Sequence, residues 1–166
     1  MLTKSLKLVH ELGAIGVLGS FACCLVLVAI APPTRSLAAY AAVRQDIAAI
    51  THWLLVPSLA LVVVSGLLAI AANKAYVDAG WAWFKAALGL GMFEGTLRTV
   101  AGGARRAAEL SAMAATGNAD PVELAQVLHA EWGGLWVLLA LSLANIVLAV
   151  WRPRFKRERA AEAPYG

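Results

Sequence analysis

Eight ionisable side chains lie within or at the ends of long apolar segments, and these are the residues that could do chemistry in this chain: His10, Glu11, His52, Lys85, Glu94, Arg98, His129 and Glu131. A Lys, Arg or Asp at the centre of a hydrocarbon layer costs at least ~2.5 kcal/mol, and ionisable groups there usually mark functional sites. Neutral imidazole binds metals and serves as an axial ligand to haem iron. His10, His52 and His129 are therefore candidate metal or haem ligands.

Small residues accompany several of these side chains on the same helical face, among them His10 and Lys85. His10 shares its face with Gly13, and Lys85 shares its face with Gly89. A flat macrocycle lying against a helix needs such gaps, so these four residues, with His52 and His129, are candidate cofactor-binding residues. The alternative interpretation is that the glycines only let membrane helices approach one another closely.

The elements that must position these residues are membrane helices. The chain has 166 residues, of which 61% are hydrophobic and 14% are charged, and its mean hydropathy is +0.73. Soluble domains carry about 25% charged residues. Four stretches are long enough to cross the hydrocarbon core: about 6–31, 47–72, 81–100 and 124–151. We therefore predict an all-α, four-transmembrane-helix bundle that forms a single integral membrane domain over residues 1–166.

Charge asymmetry predicts that both termini are cytoplasmic, and we expect the membrane to be the inner (cytoplasmic) membrane of a bacterium. The basic tail at 152–166, which begins RPRFKRER, contributes most of this asymmetry. Beside a membrane span such a tail is a topology and lipid-headgroup signal, so we expect the lipid bilayer, and no nucleic acid, as partner. The inner side would hold Lys4, Lys7, Lys74, Lys85, Arg152, Arg154, Lys156, Arg157 and Arg159, and the outer side Arg35, Arg44, Arg98, Arg105 and Arg106.

Local signals add detail to the helices. Asp120 followed by Pro121 is typical of a helix N-terminus, and Pro57 should kink the second helix. The segment RRAAEL, after the third predicted helix, is a candidate helical extension. Glu94 and Arg98 are spaced to form an ion pair, and the sequence leaves open whether that pair is structural or functional.

The two ionisable residues of the fourth helix point in different directions around its axis. His129 and Glu131 differ by about 200° around the helix axis, so they face apart. Glu131 aligns instead with Gly134, Ser142 and Asn145. This polar stripe predicts the interior of the bundle or a contact between helices.

Three segments resemble a known superfamily. LKLVHELGAIGVLGS (6–20) is similar to the opening helix of HemJ-type protoporphyrinogen oxidases and of CopD-type membrane domains. GWAWFKAALGLGMFEGTLR (80–98) resembles their third helix, and LHAEWGGLWVLLALSLANIVLAVWRP (128–153) resembles a CopD-type last helix.

The HemJ-like resemblance implies a b-type haem with His10 and Lys85 as the critical pair. HemJ-type proteins usually have an Asn-Glu-x-Pro-like stretch in the fourth helix, where this chain has HAEWG (129–133). Only Glu131 corresponds, so the resemblance implies Lys85 and Glu131 as catalytic residues, while the departure puts protoporphyrinogen oxidation itself in doubt.

Three functions remain open on the sequence alone. The first is a haem b-binding redox protein that transfers electrons or oxidises a tetrapyrrole, with His10 as axial ligand and a redox partner in the membrane; in one variant, His52 and His129 hold a second haem. The second is CopD-like copper transport or resistance, against which the scarcity of methionine weighs. The third is a non-catalytic assembly subunit of a membrane complex, and a homo-oligomer is compatible with each of the three.

Overall fold

The computed structural model describes residues 2–31 and 36–151, and these residues form helices and turns without any strand. The basic tail at 152–166 lies outside the described residues. In chain order the elements are α1 Leu2–Ile30, α2 Leu37–Ile50, a π-helical turn π1 Thr51–Leu55, α3 Val56–Ala71, α4 Lys74–Val77, α5 Gly80–Gly95, a second π-helical turn π2 Thr96–Ala101, α6 Gly102–Ala115 and α7 Pro121–Trp151. The predicted all-α class is confirmed.

Each π-turn joins its neighbouring helices without a break, so the described chain contains four long helices: α1, residues 37–71, residues 80–115 and α7. Three of them are long and apolar enough to cross a membrane, over Lys4–Ile30, Leu37–Ala71 and Pro121–Leu148. The helix at 80–115, which carries Lys85, Glu94 and Arg98, is less apolar than these three.

The second and third long helices extend well beyond the stretches predicted from hydropathy. The second begins at Leu37 rather than near residue 47, because residues 37–50 are rich in alanine and contain no proline or glycine to end a helix. The third continues to Ala115, so the segment RRAAEL is helical, as predicted. Both helices are roughly 50 Å long at 1.5 Å per residue, which exceeds the ~30 Å thickness of the hydrocarbon core.

At Pro57, where the sequence predicts a disturbance of the helix, the structure has the π-turn Thr51–Leu55. The Val56 N–H group bonds to the carbonyl oxygen of Thr51, five residues back. Proline has no N–H group to donate and its ring crowds the preceding turn. The wider turn lies just before the proline, and the helix then continues to Ala71.

The long helices pack as neighbouring pairs. The first packs chiefly against α3, α2 packs against α6, and α7 packs against both α5 and α6. Phe21, Leu55 and Leu135 are buried where these helices meet. The Asp120 carboxylate accepts a hydrogen bond of 2.8 Å from the N–H group of Val122, so the predicted N-cap of the last helix is confirmed.

Candidate functional site: a cleft at one end of the bundle

A cleft of about 610 Å³ opens where the start of α1, the end of α3 and the start of α5 meet. Its walls are largely apolar and include Val62, Val63, Leu67, Ile70 and Ala86. Ligand pockets commonly measure about 300–1,000 Å³ and combine apolar walls with a few polar groups. The size and the lining of this cleft suit a mostly apolar ligand.

His10 is the one histidine of the chain that lines this cleft. Its Nδ1 lies 3.1 Å from the carbonyl oxygen of Val62 and 3.1 Å from the hydroxyl oxygen of Ser65. A carbonyl oxygen can only accept a hydrogen bond, so Nδ1 carries the proton and donates it. In the neutral ring the lone pair then belongs to Nε2. Metal-binding histidines use this same arrangement, in which the second ring nitrogen donates to a backbone carbonyl.

Ser65 is fixed by its own helix. Its hydroxyl group donates to the carbonyl oxygen of Leu61, so its oxygen is left to accept from His10. The space between the ring and Gly66 is about the size of a methyl group, because a Cβ atom added there would lie 3.6 Å from Cε1 of His10. The two hydrogen bonds of Nδ1 hold the imidazole in one orientation.

Positive charge collects around the same cleft. The side chains of Lys4, Lys7 and Lys85 line it, together with the carboxylate of Glu11. Gly89 is buried one turn beyond Lys85 and also lines the cleft. The structure thus brings together three of the six candidate cofactor-binding residues: His10, Lys85 and Gly89.

Gly13 lies elsewhere, in the contact between α1 and α3. A Cβ atom added to it would lie 2.9 Å from Cγ2 of Val62 and 3.0 Å from the carbonyl oxygen of Ser58. The space beside this glycine is therefore occupied by α3 and is not open to a macrocycle. Gly13 acts indirectly, because it lets Val62 and Ser65 approach the helix that carries His10.

The other two histidines lie outside the cleft. His52 is exposed on π1, where its ring makes an edge contact with Trp53 at 4.9 Å between centroids. His129 is exposed on α7. Neither side chain is turned into the bundle, where a haem ligated by both would have to lie. Within residues 2–31 and 36–151, no group of three or more His, Cys, Asp and Glu side chains is placed to hold a metal ion.

Glu131 forms a closed ion pair in the other half of the bundle. Its Oε2 lies 2.6 Å from Nη2 of Arg44, and the two side chains are 2% and 4% exposed. The predicted interior position of the Glu131 stripe is confirmed, since Ser142 is buried as well. Lys85 and Glu131 line different cavities, so the structure does not bring these two candidate catalytic residues into one site.

Ser65, at the cleft, and Arg44, the partner of Glu131, are among the residues that sequence reasoning missed. Charge counting places Arg44 outside the predicted helices, among the outer-side charges, whereas the structure buries it within α2. The available signal was its phase, because Arg44 shares a helical face with Ala41, Ile47 and Thr51, all of them buried. Four polar residues of this long helix follow one another at intervals of seven residues and are all buried: Arg44, Thr51, Ser58 and Ser65.

No protein-family model, no curated protein and no solved structure matches this chain. The cleft combines an imidazole ring held by hydrogen bonds, apolar walls and several lysine side chains. This combination can bind a flat apolar molecule that has a metal ion at its centre and acidic groups at its edge.

Proposed function

We propose that this protein is a haem b-binding redox protein of the membrane, with His10 as axial ligand to the iron. The observation that carries the proposal is the hydrogen bond from Nδ1 of His10 to the carbonyl oxygen of Val62, which leaves Nε2 as the donor nitrogen. Haem would supply one-electron redox chemistry at its iron, and the protein would tune it through ligation, burial and hydrogen bonding.

The residues of the cleft suit each part of this cofactor. His10 provides one nitrogen donor, and the apolar side chains of Val63, Leu67 and Ala86 provide walls for the macrocycle. Haem b also carries two propionate groups, which need positively charged partners. Lys4 and Lys7 lie at the same cleft and can provide them.

The reaction supported best is electron transfer. Oxidation of a tetrapyrrole with Lys85 and Glu131 acting together would need both residues at one substrate, and Glu131 is instead bonded to Arg44. Lys85 lies at the cleft, where its positive charge stabilises an anionic ligand. A HemJ- or CopD-like ancestry remains part of this proposal, as does a redox partner that exchanges electrons at the cleft.

The proposed topology has four membrane-spanning helices and both termini in the bacterial cytoplasm. The cleft then lies at the cytoplasmic end, because it is lined by the start of α1 and the end of α3. Lysines on that side agree with the distribution of positive charge in membrane proteins. A reporter enzyme that is active only outside the cytoplasm, fused to the C-terminus, should be inactive. An active reporter would contradict this topology.

An absorption spectrum of the protein purified in mild detergent from haem-replete cells tests the function. We expect a Soret band that is lost in His10→Ala and kept in the matched variants His52→Ala and His129→Ala. In His10→Gly, added imidazole should restore the band, which separates loss of the ligand from loss of the fold. A colourless wild-type protein, or a band that persists in His10→Ala, would overturn the proposal.

A further inference from the structure

The third long helix carries an ion pair on its outer surface. The guanidinium group of Arg98 lies 2.8 Å from the carboxylate of Glu94, and the two side chains are 78% and 61% exposed. Gly91 and Gly95 lie on the same helical face, and a Cβ atom added to Gly91 would meet nothing within 4 Å. This face is called the Glu94–Arg98 face below.

The depth of this face makes its exposure costly under the proposed four-span topology, on which this inference depends. Glu94 and Arg98 lie 14 and 18 residues after Gly80, or roughly 21 and 27 Å along the helix. With the hydrocarbon core beginning at Gly80, both charges fall within its ~30 Å thickness, Glu94 well inside it and Arg98 close to its far side. Charged side chains at such depth almost always face protein or water rather than lipid. The Glu94–Arg98 face therefore needs a cover.

A groove borders this face. It lies between the third long helix and α7, with a volume of about 610 Å³, and Gly91, Gly95 and Arg98 line it. Glu131 also lines it, and Oε1 of that buried carboxylate has no hydrogen-bond partner within the described chain. Small residues on both sides of a contact let membrane helices approach closely. The carboxylates of Glu94 and Glu131 make the groove a poor surface for lipid tails.

We propose that a second copy of this chain covers the Glu94–Arg98 face, so that the protein is a two-fold symmetric dimer through its third long helix. Two-fold contacts place the same patch of both subunits together, so the patch must be self-complementary. The Glu94–Arg98 face meets this condition because its two opposite charges lie one turn apart. Long side chains reach across parallel helices in this way in coiled coils. Each Arg98 then bonds to the Glu94 carboxylate of the other copy.

Two charge variants test the pairing directly. Glu94→Arg makes the face wholly positive, and Arg98→Glu makes it wholly negative. In lipid nanodiscs we expect the wild type to be dimeric and each variant alone to dimerise at least about tenfold more weakly, because like charges face each other. When the two variants carry different tags and are mixed, they should co-purify as a heterodimer. An ion pair that acts only within each chain cannot produce this rescue.

Three outcomes would overturn the dimer: a monomeric wild type, variants that dimerise as well as the wild type, or a mixture in which no heterodimer forms. The thermal melting curve of each variant shows whether the bundle is intact. The Soret band of each variant tests the proposed function separately, since loss of haem with a normal dimer contradicts only the cofactor assignment. A normal Soret band with a monomeric wild type contradicts only the dimer.

Cysteine cross-linking locates the contact. In a background in which Cys23 and Cys24 are replaced by serine, Gly91→Cys should form an oxidised dimer. Leu61→Cys is the matched control, because Leu61 is also exposed. It lies 10 residues from the cytoplasmic end of its helix under the proposed topology, close to the 11 residues that separate Gly91 from Gly80. This control should remain monomeric. Equal cross-linking at both positions, or a cross-linked product whose mass shows a different protein, would refute the pairing of two copies.

Discussion

The two halves of the bundle treat buried polar groups in opposite ways. In one half, Arg44 and Glu131 bond to each other and are almost inaccessible. In the other half, Nδ1 of His10 is bonded to α3, and the ring borders a cleft of about 610 Å³. Arg44 and Glu131 neutralise each other's charge, whereas an oriented ring at an open cleft can bind a ligand. We therefore attribute stability to the first region and, as proposed above, ligand binding to the second.

The largest effect on stability should come from removing one charge of the closed pair. Glu131→Leu leaves the guanidinium of Arg44 buried without its counter-charge, so the free energy of unfolding should fall by about 3–5 kcal/mol. The double variant Arg44→Met/Glu131→Leu removes both charges and should recover most of this loss. Reversible unfolding in mixed micelles measures both.

The same two variants sharpen the comparison between the halves. The double variant should keep the Soret band, because neither Arg44 nor Glu131 lines the cleft. If the double variant were as unstable as Glu131→Leu, the unpaired charge of Arg44 would not be the cause of the lost stability. If it lost the band while remaining folded, the separation of the two regions would be wrong.

A smaller effect is expected at the contact between α1 and α3. Gly13→Ala places a methyl group against Val62 and the Ser58 carbonyl, so the helices must move apart at a cost of about 1–3 kcal/mol. Haem retention should also weaken, because Val62 carries the acceptor for His10. Gly19→Ala is the matched control, since a Cβ atom there meets nothing within 4 Å. Thermal unfolding and haem dissociation rates should separate the two variants, and equal behaviour would contradict the role given to Gly13.

The smallest effect should follow loss of the second partner of His10. Ser65→Ala removes one acceptor and keeps the Val62 carbonyl, so we expect haem affinity to fall by less than about tenfold, the lower end of what outer partners of a metal ligand contribute. Ser142→Ala, at a buried hydroxyl that bonds only to its own helix in the described structure, should leave affinity unchanged. Competition with apomyoglobin measures both. A larger loss in Ser142→Ala than in Ser65→Ala would contradict this account.

Hydropathy and helix phase predicted much of the fold. The all-α class, the C-terminal ends of α1 and α7 and the Asp120 cap follow from local sequence. These features depend on residues near one another in the chain. The cap at Asp120, for example, needs only the N–H group two residues later.

The features that were missed depend on how the helices are rotated against one another. Arg44 is a charged residue outside the most apolar window, so hydropathy leaves it outside the predicted helices. Only its contact with Glu131 on α7 shows why its burial is tolerated. Gly13 and Gly89 have the same local signature, yet one is packed against α3 and the other lines the cleft. Sequence spacing cannot separate these two cases, because the neighbouring helix decides them.

The most direct test of the central claim is the hyperfine coupling between the haem iron and the nitrogens of His10. A variant with His52→Gln and His129→Gln retains His10 as its one histidine, which can be labelled with ¹⁵N at either ring position. We predict strong coupling to ¹⁵N at Nε2 and only weak coupling at Nδ1, which donates a hydrogen bond to the Val62 carbonyl oxygen. Strong coupling at Nδ1, or no coupling at either nitrogen, would contradict ligation of the iron by Nε2 of His10.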